Sequence, residues 1–277
     1  VHYHRDEAEE MAILNYTSGT TSNSKGVMIP YRAIWSNYDF AVTVLGMEMH
    51  PGDRVLSMLP MAHMYGMAFE FLFESLYGCH VTFLTKNASP TILLKALKDI
   101  KPRLIILVPL ILEKVVRAAV IPQLQKPVMR TLLAIPGISR IVKNQVCKKL
   151  SAAFGGNFCV VIAGGAALAK DVESLLHDIR FKFTVGYGAT ETAPIIAYED
   201  WSRFVPQSCG KAAKHMEVKI NSSDPQNVSG EIWARGLNTL LGYYRNPEAT
   251  AATLDADGWY HTGDMGVMDA EGNIFIK

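Results

Sequence analysis

The feature that most constrains the fold is the run of residues 103–108, whose side chains are all aliphatic from Leu104 onward. A strand carries such a run when both of its faces are buried, which is typical of inner strands of a parallel sheet. Further apolar runs predict strands at residues 11–17, 54–59, 80–84, 158–163 and 181–185. Helical patterns lie between them, at residues 30–45, 67–77, 89–100, 110–154 and 169–179. This alternation predicts an α/β fold, a mainly parallel sheet flanked by helices.

The pattern changes near Pro206. Residues 217–220, 230–234 and 273–276 form short alternating runs, and Gly, Asn and Asp turns lie between them. Such runs are typical of antiparallel strands. We therefore predict an α/β part at residues 1–205 and a small, barrel-like antiparallel β subdomain at residues 206–277.

Composition excludes several classes of protein. Of 277 residues, 49% are hydrophobic and 19% charged, which is enough to bury a large core, and the net charge of +1 does not favour a nucleic-acid partner. The four scattered cysteines indicate a reducing compartment and argue against disulfides or a structural zinc site. The longest apolar run, residues 104–112, is interrupted by Pro109 and is too short to span a bilayer. We expect a cytoplasmic protein and leave peripheral attachment to a membrane open.

A loop rich in small polar side chains follows the first predicted strand. Residues 16–27 contain seven small hydroxyl or amide side chains, two glycines and Lys25. Backbone N–H groups and hydroxyls in such a loop can converge on a polyphosphate, with the lysine as a fixed positive charge. The Walker order is absent, because Lys25 precedes Gly26 and no Ser or Thr follows. Composition alone allows a flexible Ser/Thr linker equally well.

Two further clusters follow predicted strands. His63 lies in Pro-Met-Ala-His-Met-Tyr-Gly, residues 60–66, at a sheet edge where ligands of α/β proteins gather, although a surface histidine is the simpler interpretation. Gly164 and Gly165, in residues 163–166, either admit a flat ligand close to the backbone or make a tight turn.

Two more clusters carry carboxylates. Glu191 lies in Gly-Tyr-Gly-Ala-Thr-Glu-Thr, residues 186–192, and is either a Mg²⁺ ligand beside the phosphate loop or an ordinary glutamate at a helix N-terminus. Asp264 lies in residues 258–264, which we interpret as a turn. Its carboxylate either caps backbone groups or accepts the two hydroxyls of a ribose.

In this order, these motifs resemble the adenylate-forming superfamily of acyl-CoA synthetases, luciferases and peptide-synthetase adenylation domains. The resemblance runs from Leu14 to the last residue. Residues 101–114, the long helical insert up to residue 154, and residues 208–212 are most similar to long-chain fatty acid–CoA ligases.

The resemblance implies a role for each motif residue. The β- and γ-phosphates of ATP would be held by Thr17, Ser18, Gly19, Thr20, Thr21 and Lys25. The adenine slot would be formed by Gly164, Gly165 and Ala166 on one side and by Tyr187 and Gly188 on the other. Thr190 would contact the α-phosphate or the acyl carboxylate, Glu191 with Thr17 would bind Mg²⁺, Asp264 would bind the ribose, and His63 would stand near the acyl channel. The implied catalytic residues are Lys25, His63, Thr190 and Glu191.

The implied reaction activates a fatty acid with ATP to acyl-AMP and transfers the acyl group to coenzyme A. We expect the chain to be the central part of the large domain, without the family's C-terminal lid and therefore poorly active by itself. Two alternatives remain: adenylation of another carboxylate such as an amino acid, and nucleotide binding without catalysis. Residues 60–69 contain no Asp or Glu to pair with an α-ammonium, which favours a fatty chain. The expected partners are small molecules, and the sequence leaves acyl length and oligomeric state open.

Overall fold

The computed structural model describes residues 7–17, 24–85 and 89–277. Its strands are β1 (Met11–Thr17), β2 (Lys25–Pro30), β3 (Arg54–Ser57), β4 (His80–Phe83), β5 (Leu104–Leu107), β6 (Val160–Gly164), β7 (Phe183–Gly188), β8 (Ile195–Tyr198), β9 (Lys211–Ala212), β10 (Met216–Asn221), β11 (Gly230–Gly236), β12 (Gly242–Tyr243), β13 (Tyr260–Met268) and β14 (Ile274–Ile276).

Helices connect most of the parallel strands. They are α1 (Tyr31–Leu45), α2 (Met64–Gly66), a π-helical stretch (Met67–Leu72), α3 (Phe73–Leu76), α4 (Pro90–Ile100), α5 (Pro109–Ala119), α6 (Ile121–Leu124), α7 (Pro127–Ala134), α8 (Ile138–Ala153), α9 (Lys170–Asp178), a 3-10 turn (Thr190–Thr192) and α10 (Pro247–Thr253). None of the helices in the described ranges combines the length and apolar character that a bilayer crossing requires.

The central sheet has the order β5-β6-β7-β8-β9. Its first three strands are parallel and the last two join antiparallel. All four residues of β5 are buried, as the aliphatic run predicts. Ile105 and Leu107 lie in a core cluster with side chains of α4 and α5, whereas Leu104 and Ile106 lie in a second core cluster that includes side chains of α1. A two-stranded parallel sheet, β3-β4, lies beside β5. The predicted α/β fold is thus confirmed.

The last quarter of the chain forms an antiparallel sheet of order β10-β11-β13-β14. The predicted strands at 217–220, 230–234 and 273–276 correspond to β10, β11 and β14. Two short strands after residue 205 pair with earlier ones: β9 with β8 and β12 with β2.

The structure adds one strand to the sequence prediction and corrects one interpretation. The helix predicted over residues 30–45 is confirmed as α1, which begins at Tyr31 because Pro30 has extended backbone angles and ends β2, a strand that the sequence analysis did not predict. The loop therefore joins two antiparallel strands. Residues 260–264 were interpreted as a turn but begin β13. Gly263, with φ +77°, makes a bulge there, which explains turn-like residues within a strand.

Helix termini follow local rules. Ser89 caps α4, its hydroxyl accepting a hydrogen bond from the Ile92 N–H at 3.4 Å, and Pro90 occupies the first turn as predicted. Gly46 ends α1, its N–H bonding to the Val42 carbonyl.

Two buried glutamates stand on the segment that follows β3. Glu70 and Glu74 are each 1% exposed. The Oε2 atom of Glu70 accepts hydrogen bonds from the N–H groups of Met58 at 2.9 Å and Leu59 at 2.7 Å. Within the described residues, Glu70 Oε1 and Glu74 Oε2 have no hydrogen-bond partner. Burial raises the pKa of Glu70 to about 7 and that of Glu74 to about 10.

We predict that Glu74→Gln stabilises the fold, increasingly so as pH rises. The folded-state pKa of Glu74 is raised from 4.5 to about 10. Between these pH values the folded protein binds one more proton than the unfolded chain, so the free energy of unfolding falls as pH rises, by up to about 1.4 kcal/mol per pH unit. In urea unfolding, the gain in stability of the variant over the parent should grow by at least about 2 kcal/mol between pH 5 and pH 8. Glu248→Gln, at an exposed position, serves as the control and should leave the pH profile unchanged. Equal profiles for Glu74→Gln and the parent would contradict the assignment.

Candidate functional site

The loop of residues 18–23 is framed by paired strand ends. Thr17 of β1 lies opposite Lys25 of β2, and the Ser24 hydroxyl donates to the Thr17 carbonyl oxygen at 2.8 Å. Lys25 Nζ lies 5.0 Å from the ring centroid of Tyr243, within cation–π range. Four predicted phosphate-binding residues lie outside the described residues, namely Ser18, Gly19, Thr20 and Thr21.

Asn15 connects this frame to the His63 cluster. It is a largely buried polar residue inside β1, and its Nδ2 donates to the Ala62 carbonyl oxygen at 2.9 Å. His63 itself is exposed, precedes α2, and lies on the wall of a cavity described below. The sequence analysis missed Asn15, although an amide among apolar strand residues was the available signal.

The glycines after β6 permit close packing. A side chain at Gly164 would place its Cβ 2.8 Å from Cζ of Tyr65, whose hydroxyl donates to the Ile162 carbonyl oxygen at 3.3 Å. Gly165 adopts φ +84°, a conformation that favours glycine. Both glycines line the cavity, whereas Ala166 is exposed and is not part of its wall.

Tyr187, at the end of β7, connects to the last motif. Its hydroxyl donates to Asp264 Oδ2 at 2.7 Å. Burial raises the pKa of Tyr187, so that the phenol stays neutral and keeps the proton that it donates. Asp264 is exposed on the bulge of β13, and its backbone N–H donates to Thr262 Oγ1 at 3.0 Å. A carboxylate held through one oxygen retains acceptor capacity for a ligand.

Glu191 lies in the 3-10 turn that follows β7 and is half-buried. Its Oε1 accepts a hydrogen bond from the Tyr243 hydroxyl at 2.9 Å. Burial raises the pKa of Tyr243, which keeps this donor protonated. Tyr243 thus contacts both Lys25 and Glu191, and β12 pairs it with Val27. The sequence analysis missed Tyr243, because the only signal was Gly-Tyr-Tyr-Arg-Asn-Pro at residues 242–247.

A cavity of about 410 Å³ lies between the strand ends and α1. It brings together several predicted site residues: His63, Gly164, Gly165, Tyr187, Gly188 and Thr190. Its remaining wall is mostly apolar, and among the described residues no Asp, Glu, Lys or Arg side chain is part of it. The charged groups Lys25, Glu191 and Asp264 lie outside the wall. The arrangement can enclose an apolar group in the cavity and hold a polar, anionic group beside it.

The chain is similar to known enzymes along nearly its whole length. The family described as AMP-binding enzyme matches residues 2–244. Long-chain-fatty-acid–CoA ligase 1 of Saccharomyces cerevisiae is 28% identical over 295 residues, which cover 99% of this chain and 42% of the ligase. Luciferin 4-monooxygenase of Luciola mingrelica is 31% identical over 281 residues, with 98% and 45% covered. The 4-coumarate–CoA ligase of Pinus taeda is 28% identical over 285 residues, with 97% and 47% covered.

Solved structures share the fold. The O-succinylbenzoate coenzyme A synthetase of Bacillus subtilis, in complex with AMP, superposes with a TM-score of 0.76 at 22% sequence identity, covering 98% of this chain and 50% of that one. The chain spans less than half the length of the three curated relatives, between 42% and 47%.

We predict that Gly188→Ala destabilises the fold, whereas Gly186→Ala does not. A Cβ at Gly188 would overlap the carbonyl oxygen of Pro194, while one at Gly186 would meet side-chain methyl groups at ordinary contact distances, Ile195 Cδ1 at 3.6 Å and Ile162 Cγ2 at 3.9 Å. Overpacking against backbone lowers the free energy of unfolding by roughly 1–3 kcal/mol or more. Denaturant unfolding of both variants measures the difference, and equal stability of the two would refute the contact.

Proposed function

We infer the reaction from the premise that this chain belongs to the AMP-binding enzyme family: the protein activates a carboxylate with ATP and transfers the acyl group to coenzyme A. In the first step a carboxylate oxygen attacks the α-phosphorus of ATP, the bond to pyrophosphate breaks, and acyl-AMP forms. In the second step the thiolate of coenzyme A attacks the acyl carbon and AMP leaves. The carboxylate needs this activation because its own oxygen is a poor leaving group.

The proposed phosphate site has to bring anions together. Lys25 supplies one positive charge, and the loop of residues 18–23 would supply backbone and hydroxyl donors to the β- and γ-phosphates. Such preorganised donors stabilise charge that develops during phosphoryl transfer. Tyr243 supports this assignment, because it holds Glu191 at 2.9 Å while its ring faces Lys25. Thr190, on the cavity wall, would contact the α-phosphate or the substrate carboxylate.

The donor set fits Mg²⁺ bound jointly with ATP. Among the described residues, no group of three or more His, Cys, Asp or Glu side chains could hold a metal by itself. Magnesium sites of nucleotide enzymes commonly use one or two carboxylates together with substrate phosphates. Glu191, assisted by Thr17 at the start of the loop, would hold the ion, and when bound the ion would neutralise phosphate charge.

The nucleoside would occupy the part of the cavity that is lined by Gly164, Gly165, Tyr187 and Gly188. We assign one wall of the adenine slot to Gly164, Gly165 and Ala166, and the other to Tyr187, with Gly188 giving clearance. Asp264 would accept hydrogen bonds from the ribose hydroxyls. The hydrogen bond that it accepts from the Tyr187 hydroxyl at 2.7 Å supports a fixed orientation of its carboxylate. Residues 1–205 would then bind the acyl and nucleotide groups. The β-rich part, residues 206–277, would contribute Asp264, which binds the ribose.

The observation that carries the substrate proposal is that no charged side chain in the described part of the chain lines the cavity wall. Fatty acids suit it, because an alkyl chain needs apolar contact while its carboxylate stays near His63 and Thr190. An amino acid would place its ammonium in the cavity without a carboxylate partner, which is unfavourable. An aryl acid is the second candidate, since Phe40, Phe69 and Tyr198 also line the wall.

Carboxylate-dependent ATP–pyrophosphate exchange by the full-length protein tests the substrate class. We expect fatty acids to be preferred over 4-coumarate by at least about tenfold in kcat/KM, because apolar burial grows with alkyl length. We expect amino acids to be inactive. Preference for 4-coumarate would favour the aryl acid, and exchange with amino acids would refute the assignment. Binding of ATP without exchange for any acid would indicate a nucleotide-binding module.

We predict that Glu191→Gln lowers the exchange rate about 100-fold or more, because one ligand charge for Mg²⁺ is lost. Tyr243→Phe should lower it about tenfold, because Glu191 loses the hydrogen bond that orients it. Tyr244→Phe is the matched control, because it removes a hydroxyl from the neighbouring, exposed tyrosine, which has no contact to Glu191. Its exchange rate should stay within about twofold of that of the parent. Rates for Glu191→Gln close to the parent at limiting Mg²⁺ would contradict the role.

A further inference from the structure

Helices α7 and α8, with the turn between them, form a pair that we term the basic hairpin, residues 126–153. No Asp or Glu occurs anywhere from Lys114 to Lys170. The basic hairpin itself carries six cations: Lys126, Arg130, Arg140, Lys143, Lys148 and Lys149. The chain as a whole has a net charge of only +1, so acidic residues elsewhere in the chain balance this strongly positive segment.

Few of these charges are compensated. Lys143 Nζ lies 2.6 Å from Asp178 Oδ1 on α9. Within the described part of the chain, the other five cations have no ion pair. Their field therefore faces solvent at one side of the molecule.

The basic hairpin also exposes apolar side chains. Val128 is 72% exposed, Ile135 40%, Ile138 38% and Ile141 63%. Helix α7 contains no buried residue, and α8 buries only Leu150. Ile135 and Ile138 flank the turn Pro136-Gly137 and Ile141 lies in the first turn of α8, so three of these four side chains are at or near the tip. Arg140 adjoins Ile141 in the chain, and Arg130 lies earlier, on α7.

The combination of exposed cations and exposed apolar side chains distinguishes between possible binding partners of the basic hairpin. Single-stranded nucleic acid is bound by cations together with aromatic side chains on which bases stack, and residues 126–153 contain no Phe, Tyr or Trp. A second copy bound through the same patch would bring two sets of six cations together, since a two-fold interface is self-complementary. An anionic bilayer matches both features, because its headgroups attract cations and its acyl boundary accepts isoleucines.

We propose that the basic hairpin docks on the surface of an anionic phospholipid bilayer. Ile135, Ile138 and Ile141 enter the boundary between headgroups and acyl chains, while Arg130 and Arg140 contact lipid phosphates. Docking itself is independent of the reaction proposed above. If the substrate is a fatty acid, docking would also place the protein where that substrate is dissolved.

Flotation of the full-length protein with vesicles, without substrate, tests the proposal. Vesicles of phosphatidylcholine alone are compared with vesicles that also contain phosphatidylserine, at low and high salt. We expect binding to the mixed vesicles only, weakened by salt because the attraction between headgroups and cations is screened. Equal binding to both vesicle types, or none to either, would overturn the proposal.

Paired variants assign the binding to the basic hairpin. Arg130→Glu/Arg140→Glu and Ile138→Asp/Ile141→Asp should each weaken binding at least about tenfold, as loss of two cations or two inserted side chains requires. The matched controls, Lys95→Glu/Lys211→Glu and Met47→Asp/Val228→Asp, make the same changes at exposed positions elsewhere and should bind as the parent does. Circular dichroism verifies folding of all four proteins.

Two further outcomes identify a different occupant. Displacement of vesicles by RNA, with RNA affinity unaffected by Ile138→Asp/Ile141→Asp, would assign the cations to nucleic acid. A dimer in sedimentation that dissociates in the same variant would assign the tip to a second copy. If all variants float like the parent, the basic hairpin is covered in the full-length protein and the proposal is wrong.

Discussion

The whole site depends on the parallel alignment of β5, β6 and β7. Because parallel strands end at one edge, the segments that leave β6 and β7 lie side by side, and the glycines there leave room for a ligand. The alignment is stabilised from within, since β5 is buried along its whole length. Burial of such aliphatic side chains is worth roughly 1.5–3 kcal/mol each relative to exposure.

Hydrogen bonds across long chain separations then connect the motifs. Asn15 bonds across 47 positions to Ala62, Tyr243 across 52 positions to Glu191, and Tyr187 across 77 positions to Asp264. Each is a neutral donor to a carbonyl or carboxylate oxygen. The tyrosine hydroxyls keep their protons because burial raises their pKa values. Neutral donors orient the two carboxylates while the positive charge of Lys25 is left for a ligand.

Two buried glutamates, Glu70 and Glu74, support the wall of the cavity and lower the stability of the fold. Glu70 orders the end of β3 through the N–H groups of Met58 and Leu59, just before the segment that carries His63. Glu74, one helical turn on, is buried with an unpartnered oxygen. Two buried carboxyl groups are unfavourable unless one of them is neutral, which agrees with the raised pKa of Glu74. Buried carboxyl groups with a raised pKa near a cavity are more typical of a functional site than of a hydrophobic core.

Hydrophobic periodicity and helix capping were sufficient for the alternation of strands and helices in the parallel sheet and for the Ser89 cap of α4, because these depend on neighbouring residues. The sequence also placed His63, Gly164, Tyr187 and Thr190 at strand ends, and the structure brings them to one cavity. It could not reveal β2 or the bulge at Gly263, since both need a partner strand to satisfy their backbone groups. Nor could it reveal Asn15 and Tyr243, whose partners are distant in the chain. Local patterns determined which residues end a strand, and only tertiary packing decided which of those ends meet.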